Sequence, residues 1–102
     1  MTLEAKARPL WKDLPQFSLR ERDRRWGRIR QKMGIQGLDC LIIFSTRTMY
    51  HGGTANFRYV TQLETAGNVI FPLQGEPVVS PAVIHLGEYA TLAQKWVKDV
   101  RP

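Results

Sequence analysis

The sequence predicts an α/β domain with a mixed sheet, an antiparallel meander and flanking helices. Three observations carry that expectation. Apolar and aromatic residues recur at period two within residues 56–71, Leu38–Phe44 is a nearly continuous apolar run, and stretches of helical period lie at 18–33 and 87–98. With 102 residues the chain has the length of one domain, which can bury about two thirds of its unfolded surface.

Residues 1–17 mix charges with Pro9 and Pro15 and show no period, so they read as an arm in which Leu10, Trp11, Leu14 and Phe17 dock on the body. The domain proper is expected over 18–102. Ser18 and Glu21 have the spacing at which each side chain reaches the other's backbone N–H, which starts a helix. Leu19, Trp26, Ile29 and Met33 share its apolar stripe, Arg20, Arg24, Arg28, Gln31 and Lys32 take the rest of the surface, and Gly34 is expected to stop it. The run Leu38–Phe44 reads as a central strand covered on both faces. Residues 45–55 form a polar, glycine-containing connection. Its His51-Gly52-Gly53 lacks the nucleophile elbow of an oxyanion loop and the longer glycine pattern of a phosphate cradle, so it reads as a flexible loop.

Phe57, Tyr59 and Thr61 alternate with Arg58 and Val60, the period of a half-buried strand. A polar break at 62–67 separates them from Val69 and Phe71, which alternate with Asn68 and Ile70 and are expected to pair antiparallel with the first run. Gln74-Gly75-Glu76 turns the chain into a third extended run, Pro77–Ser80, whose end Pro81 confines to an edge or a bulge. A closing helix over 87–98 follows from the stripe Tyr89, Leu92, Ala93, Trp96 and Val100.

Lys and Arg outnumber Asp and Glu by 15 to 9, a net charge of +6. Residues 1–36 hold ten basic and four acidic side chains (10 − 4 = +6), and residues 37–102 hold five of each, so the whole surplus belongs to the leading segment. The Arg-rich helix over 18–33 is therefore the candidate for nucleic acid. Against that stand the acidic neighbours Glu21 and Asp23, the absence of a base-reading motif, and the tendency of Arg stems to cover apolar surface. Cys40, the only cysteine, reads as a small buried hydrophobe and excludes an intrachain disulfide. No apolar stretch approaches the roughly twenty residues of a membrane span, which leaves the cytoplasm as the default location. The only histidines, His51 and His85, stand far apart with no His-Glu-x-x-His spacing, so no metal, cofactor or catalytic set is expected in this chain.

The order Asn56-x-Arg58-Tyr59-Val60-Thr61, an apolar strand ending Phe71-Pro72-Leu73, and a turn at Gly75-Glu76-Pro77 resemble one family. So do Arg20-Glu21-x-x-Arg24-Arg25 with Ile29-Arg30, and Gly37-Leu38-Asp39 before the strand Cys40 to Phe44. From Ser18 onward the chain resembles the amino-terminal domain of the creatinase, prolidase and aminopeptidase P family, the pita-bread metallopeptidases. The resemblance implies a ribonuclease H-like fold. It also implies a parent metallohydrolase that cleaves an Xaa-Pro peptide bond or a related C–N bond. Two divalent metal ions (Mn, Co or Zn) would then lie in a carboxy-terminal catalytic domain outside this chain.

In that family the amino-terminal domain contributes dimer contacts and the rim of the active site. The rim-forming segment matches Asn56, Phe57, Arg58 and Tyr59. The implied partners are the catalytic domain of the same polypeptide, a second copy in a homodimer, and a small peptide or C–N substrate at the rim. Arg58 has two readings, a bidentate carboxylate partner and a solvent-facing strand arginine. Family domains continue with a further strand and helix, so the chain is expected to be truncated and inactive alone. The rival function is a small basic nucleic-acid-binding module using helix 18–33, and a self-sufficient enzyme using His51 ranks last.

Overall fold

A computed structural model describes residues 16–45, 55–63, 66–81 and 94–101. They form a small α/β fold of two helices and a four-stranded mixed sheet. Helix α1 spans Leu19–Gln36 and α2 spans Ala55–Thr61. The strands are β1 (Cys40–Ser45), β2 (Gly67–Pro72), β3 (Val78–Pro81) and β4 (Asp99–Val100), in the spatial order β1-β2-β3-β4. The first three run antiparallel as a meander, and β4 lies parallel to β3.

Ser18 caps α1 by accepting the Glu21 N–H at 3.2 Å. The reciprocal bond of a capping box is replaced: the Glu21 carboxylate is held by Arg24 and Arg25 instead. The helix passes through Gly34 and ends at Gln36. Gly37 adopts the left-handed conformation (φ 71), while its N–H bonds to Gly34 O and the Leu38 N–H to Met33 O. These two hydrogen bonds satisfy two of the last carbonyls, and with them the stop falls three residues later than expected. Trp26 and Met33 are buried and Ile29 packs beside them, whereas Leu19, the fourth member of the expected stripe, is exposed.

Residues 56–61 are helical, contrary to the strand expectation. Phe57, Val60 and Thr61 are buried at the i, i+3, i+4 spacing of a helix, and Tyr59, on the same face as Phe57 in the strand reading, is 38% exposed. Strand β2 therefore pairs with β1 rather than with this segment, placing Leu41 opposite Phe71 and Ile43 opposite Val69. Strand β1 is also not central. Among the described residues it lies at the sheet edge with its outer face exposed, and Cys40, at the start of that face, is exposed rather than buried. Pro81 ends β3 opposite Gly67, in an interior strand of the sheet.

Of the expected closing helix, 82–93 lies outside the described residues, and 94–98 is not helical. The Gln94 side chain accepts the Val97 N–H at 2.7 Å and donates to Val97 O at 2.9 Å, holding a turn that buries both Trp96 and Val97. Asp99 and Val100 then join the sheet beside Val78 and Val79, and the Arg101 N–H bonds to Val79 O. The core lies between α1 and the inner face of the sheet. It comprises Trp26, Met33, Phe57, Val60, Leu63, Val69, Phe71, Val79, Trp96 and Val97. No helix among the described residues is long and apolar enough to cross a membrane.

Candidate functional site

Helix α2 divides the segment Asn56–Tyr59 between two environments. Phe57 is fully buried in the core, whereas Asn56, Arg58 and Tyr59 face outward. The burial of Val60 and Thr61 fixes which way the helix is turned. Thr61 reinforces this by donating its hydroxyl to Phe57 O at 2.8 Å and accepting the Leu63 N–H at 3.0 Å. Arg58 and Tyr59 thus line an open groove of about 590 Å³, together with Gln16, Phe17, Arg25, Ala55 and Gln62.

Arg25 joins the groove to α1. Its guanidinium bonds Glu21 at 2.9 Å and the Tyr59 carbonyl at 3.0 Å. It also stacks on the rings of Phe17 and Tyr59, each 4.6 Å away, and on Trp96 at 5.2 Å. A planar cation among three aromatic faces is a stiff arrangement, because each contact restricts the same rotamer. Glu21 is the anion beneath it. Hydrogen bonds from Arg24 and Arg25 hold its carboxyl down to about 2 from an ordinary 4.5, so it is charged at neutral pH.

The wall opposite α2 is tied down at Phe17. Its N–H donates to Gln62 Oε1 at 2.8 Å, and its carbonyl accepts from Trp96 Nε1 at 3.1 Å. Gln62 has φ 64, the left-handed region that a side chain other than glycine seldom occupies. The bond to Phe17 fixes its amide orientation, and Nε2 is buried without a partner among the described residues. Arg22 completes the frame by donating to Trp96 O at 3.2 Å.

The groove combines guanidinium donors with aromatic and amide walls, a surface suited to a carboxylate or an extended peptide. Of the expected rim residues, Arg58 and Tyr59 are brought to it, Asn56 is exposed on the same helix, and Phe57 is turned away into the core. Sequence reasoning missed Phe17, Arg25 and Gln62. No local pattern marks them, since Phe17 and Gln62 meet across 45 positions. Among the described residues no group of three or more His, Cys, Asp or Glu side chains comes together, and His51 and His85 lie outside those residues. No protein-family model matches the chain, and no curated protein matches it.

The Arg-rich surface is largely committed to internal contacts. Arg22, Arg25 and Arg30 turn toward Trp96, Tyr59 and the β2–β3 turn, where Arg30 donates to the carbonyls of Pro72 and Gly75. Arg24 is paired with Glu21. Arg20, Arg28 and Lys32 remain on the outer face of α1.

Proposed function

We propose that this chain is a non-catalytic amino-terminal domain of a creatinase/aminopeptidase P type metallohydrolase, ribonuclease H-like in fold, whose part is to form the active-site rim and contribute to a homodimer. The single observation that supports this best is the helix at Ala55–Thr61. It buries Phe57 while presenting Arg58 and Tyr59 to a groove already lined by Arg25. A mixed sheet with an antiparallel meander behind a capped leading helix agrees with the order of motifs that suggested the family.

On this reading Arg58 receives a substrate carboxylate or an acidic residue of the partner, and Tyr59 supplies an apolar wall. The metal-bound hydroxide that cleaves the Xaa-Pro bond belongs to the catalytic domain of the same polypeptide. The nucleic-acid reading is weaker, because Arg22, Arg24, Arg25 and Arg30 are engaged within the chain, and a phosphate-tracking surface is left with Arg20, Arg28 and Lys32.

The test is an assay of Xaa-Pro dipeptide hydrolysis by this chain alone and by the polypeptide that joins it to a metallohydrolase domain. The expected result is turnover only by the joined protein. Turnover by the isolated chain that His51→Ala abolishes would overturn the proposal. So would salt-sensitive oligonucleotide binding that disappears when Arg20, Arg28 and Lys32 become Ala.

A further inference from the structure

We propose that the outer face of α1 docks an acidic segment of another protein, whose carboxylates, spaced about 6 Å apart, pair with Arg20, Arg24, Arg28 and Lys32. The inference goes beyond the active-site rim, because none of these four cations lines the groove at Arg58.

Spacing supplies the first argument. Arg20, Arg24, Arg28 and Lys32 recur at every fourth residue of α1, so they form one slowly winding row that rises about 18 Å from end to end. All four are exposed, while Trp26 and Met33 turn the opposite face of the helix into the core. Like charges four residues apart repel across a turn of helix. The acids of α1 do not offset this. Asp23 is held by Arg22, and Glu21 is shared between Arg24 and Arg25. Among the described residues no hydrogen bond or ion pair engages Arg20, Arg28 or Lys32.

Helix stability does not account for the row either. Cations favour the last turn of a helix, and α1 has no basic residue there, whereas Arg20 sits in the first turn, where the dipole disfavours positive charge. Residues 1–18 carry three basic and two acidic side chains (3 − 2 = +1), so the segment ahead of α1 brings no net negative charge to balance it.

The surface beside the row supplies the second argument. A cleft of about 220 Å³ opens there, lined by Arg28, Ile29, Lys32 and Tyr59. It sets two cations beside an aliphatic and an aromatic wall, so the methylene stem of a Glu side chain can pack inside while its carboxylate meets Arg28 and Lys32. Ile35, seven positions after Arg28 and so on the same face, is 80% exposed. Gly27, next to Arg28, would meet no atom within 4 Å if it carried a Cβ, so the face is clear for a partner.

Charge and spacing choose the occupant. Carboxylates recur about every 6 Å on a helix with an acid at each fourth position, and about every 6.6 Å on alternate residues of a strand, and either matches the row. A single-stranded nucleic acid needs aromatic platforms for its bases. Arg25 already stacks on the rings of Phe17, Tyr59 and Trp96, which leaves the row with cations and little to stack on.

The experiment is fluorescence anisotropy of a labelled peptide bearing Glu at every fourth position of an alanine background, titrated with the chain at low salt. The same peptide with Gln in place of Glu and a thymidine oligonucleotide of equal charge are run beside it. The variants are Arg28→Ala with Lys32→Ala, and Lys95→Ala with Lys98→Ala, which removes the same charge from exposed positions elsewhere. Far-UV circular dichroism checks that each keeps its fold. The expected result is binding of the Glu peptide and not of the Gln peptide, a dissociation constant raised about fivefold or more by the α1 pair, and no change from the Lys95 and Lys98 pair. Glu and Gln peptides that behave alike overturn the proposal. So does an equal loss from both double variants, which would make net charge the cause, or tighter binding of the oligonucleotide than of the Glu peptide.

Discussion

At Trp26 one side chain ties three elements together. Its indole N–H donates to Val60 O of α2 at 3.0 Å, and its ring meets Phe71 of β2 edge-on, with centroids 5.7 Å apart. Arg22 and Arg30 cover its ring at 4.9 and 5.7 Å, so two of the helix's charges serve packing. Glu21 has a role that depends on pH. Its folded pKa lies below the ordinary carboxylate value, so its contribution is fully present above about pH 4.5 and is lost as pH falls toward about 2. Glu21→Gln is therefore expected to flatten the acid side of the stability profile in that window, as measured by urea denaturation at stepped pH; an unchanged slope would contradict the pairing. The Ser18–Glu21 spacing was legible in the sequence, but only the Ser18 half of the box forms. Spacing announces that a carboxylate is within reach of a backbone N–H, and does not rank that donor against two guanidiniums three and four residues away.

The elements divide by how much of their pattern is local. Helix α1 has a capping serine, 18 helical residues carrying one apolar stripe and a left-handed glycine after its end, so its existence follows from the chain alone. Helix α2 does not. Over seven residues, Phe57, Tyr59 and Thr61 fit a strand while Phe57, Val60 and Thr61 fit a helix, and two of the three positions are shared. The burial of Val60 in the core decides between them, and its carbonyl accepts the Trp26 indole N–H from 34 positions away. The turn at 94–98 was hidden for a different, local reason: the Gln94 side chain substitutes for backbone bonds that periodicity assumes.

Strand β2 rests on a tighter constraint at Gly67, where φ is 156 and an added Cβ would stand 2.6 Å from Ser80 O and 3.0 Å from Pro81 Cα. Both neighbours are backbone and cannot yield without parting β2 from β3. Gly67→Ala is thus expected to cost about 3 kcal/mol in chemical denaturation. A loss below about 0.5 kcal/mol, the range of neutral surface changes, would show that the β2–β3 end is not held as described.

For the whole molecule, sheet order was the least legible feature. An apolar run such as Leu38–Phe44 reads as a strand covered on both faces, but sheet order is settled by non-local pairing, and among the described residues β1 is left at the edge with Ile42 and Phe44 outward. The basic surplus was legible in its location and not in its use, because Arg22, Arg25 and Arg30 find carbonyl and aromatic partners far along the chain. The groove belongs to this scale too, assembled from the residues before α1, from α1 itself and from α2. Its proposed role as a carboxylate-receiving rim is tested most directly by the Michaelis constant of the Arg58→Ala variant, in a polypeptide that joins this chain to the proposed catalytic domain. The substrates are an Xaa-Pro dipeptide with a free carboxylate and the same dipeptide amidated. The expected result is KM raised about tenfold for the free acid with kcat nearly unchanged, and no change for the amide. An equal effect on both substrates, or none on either, would contradict the account.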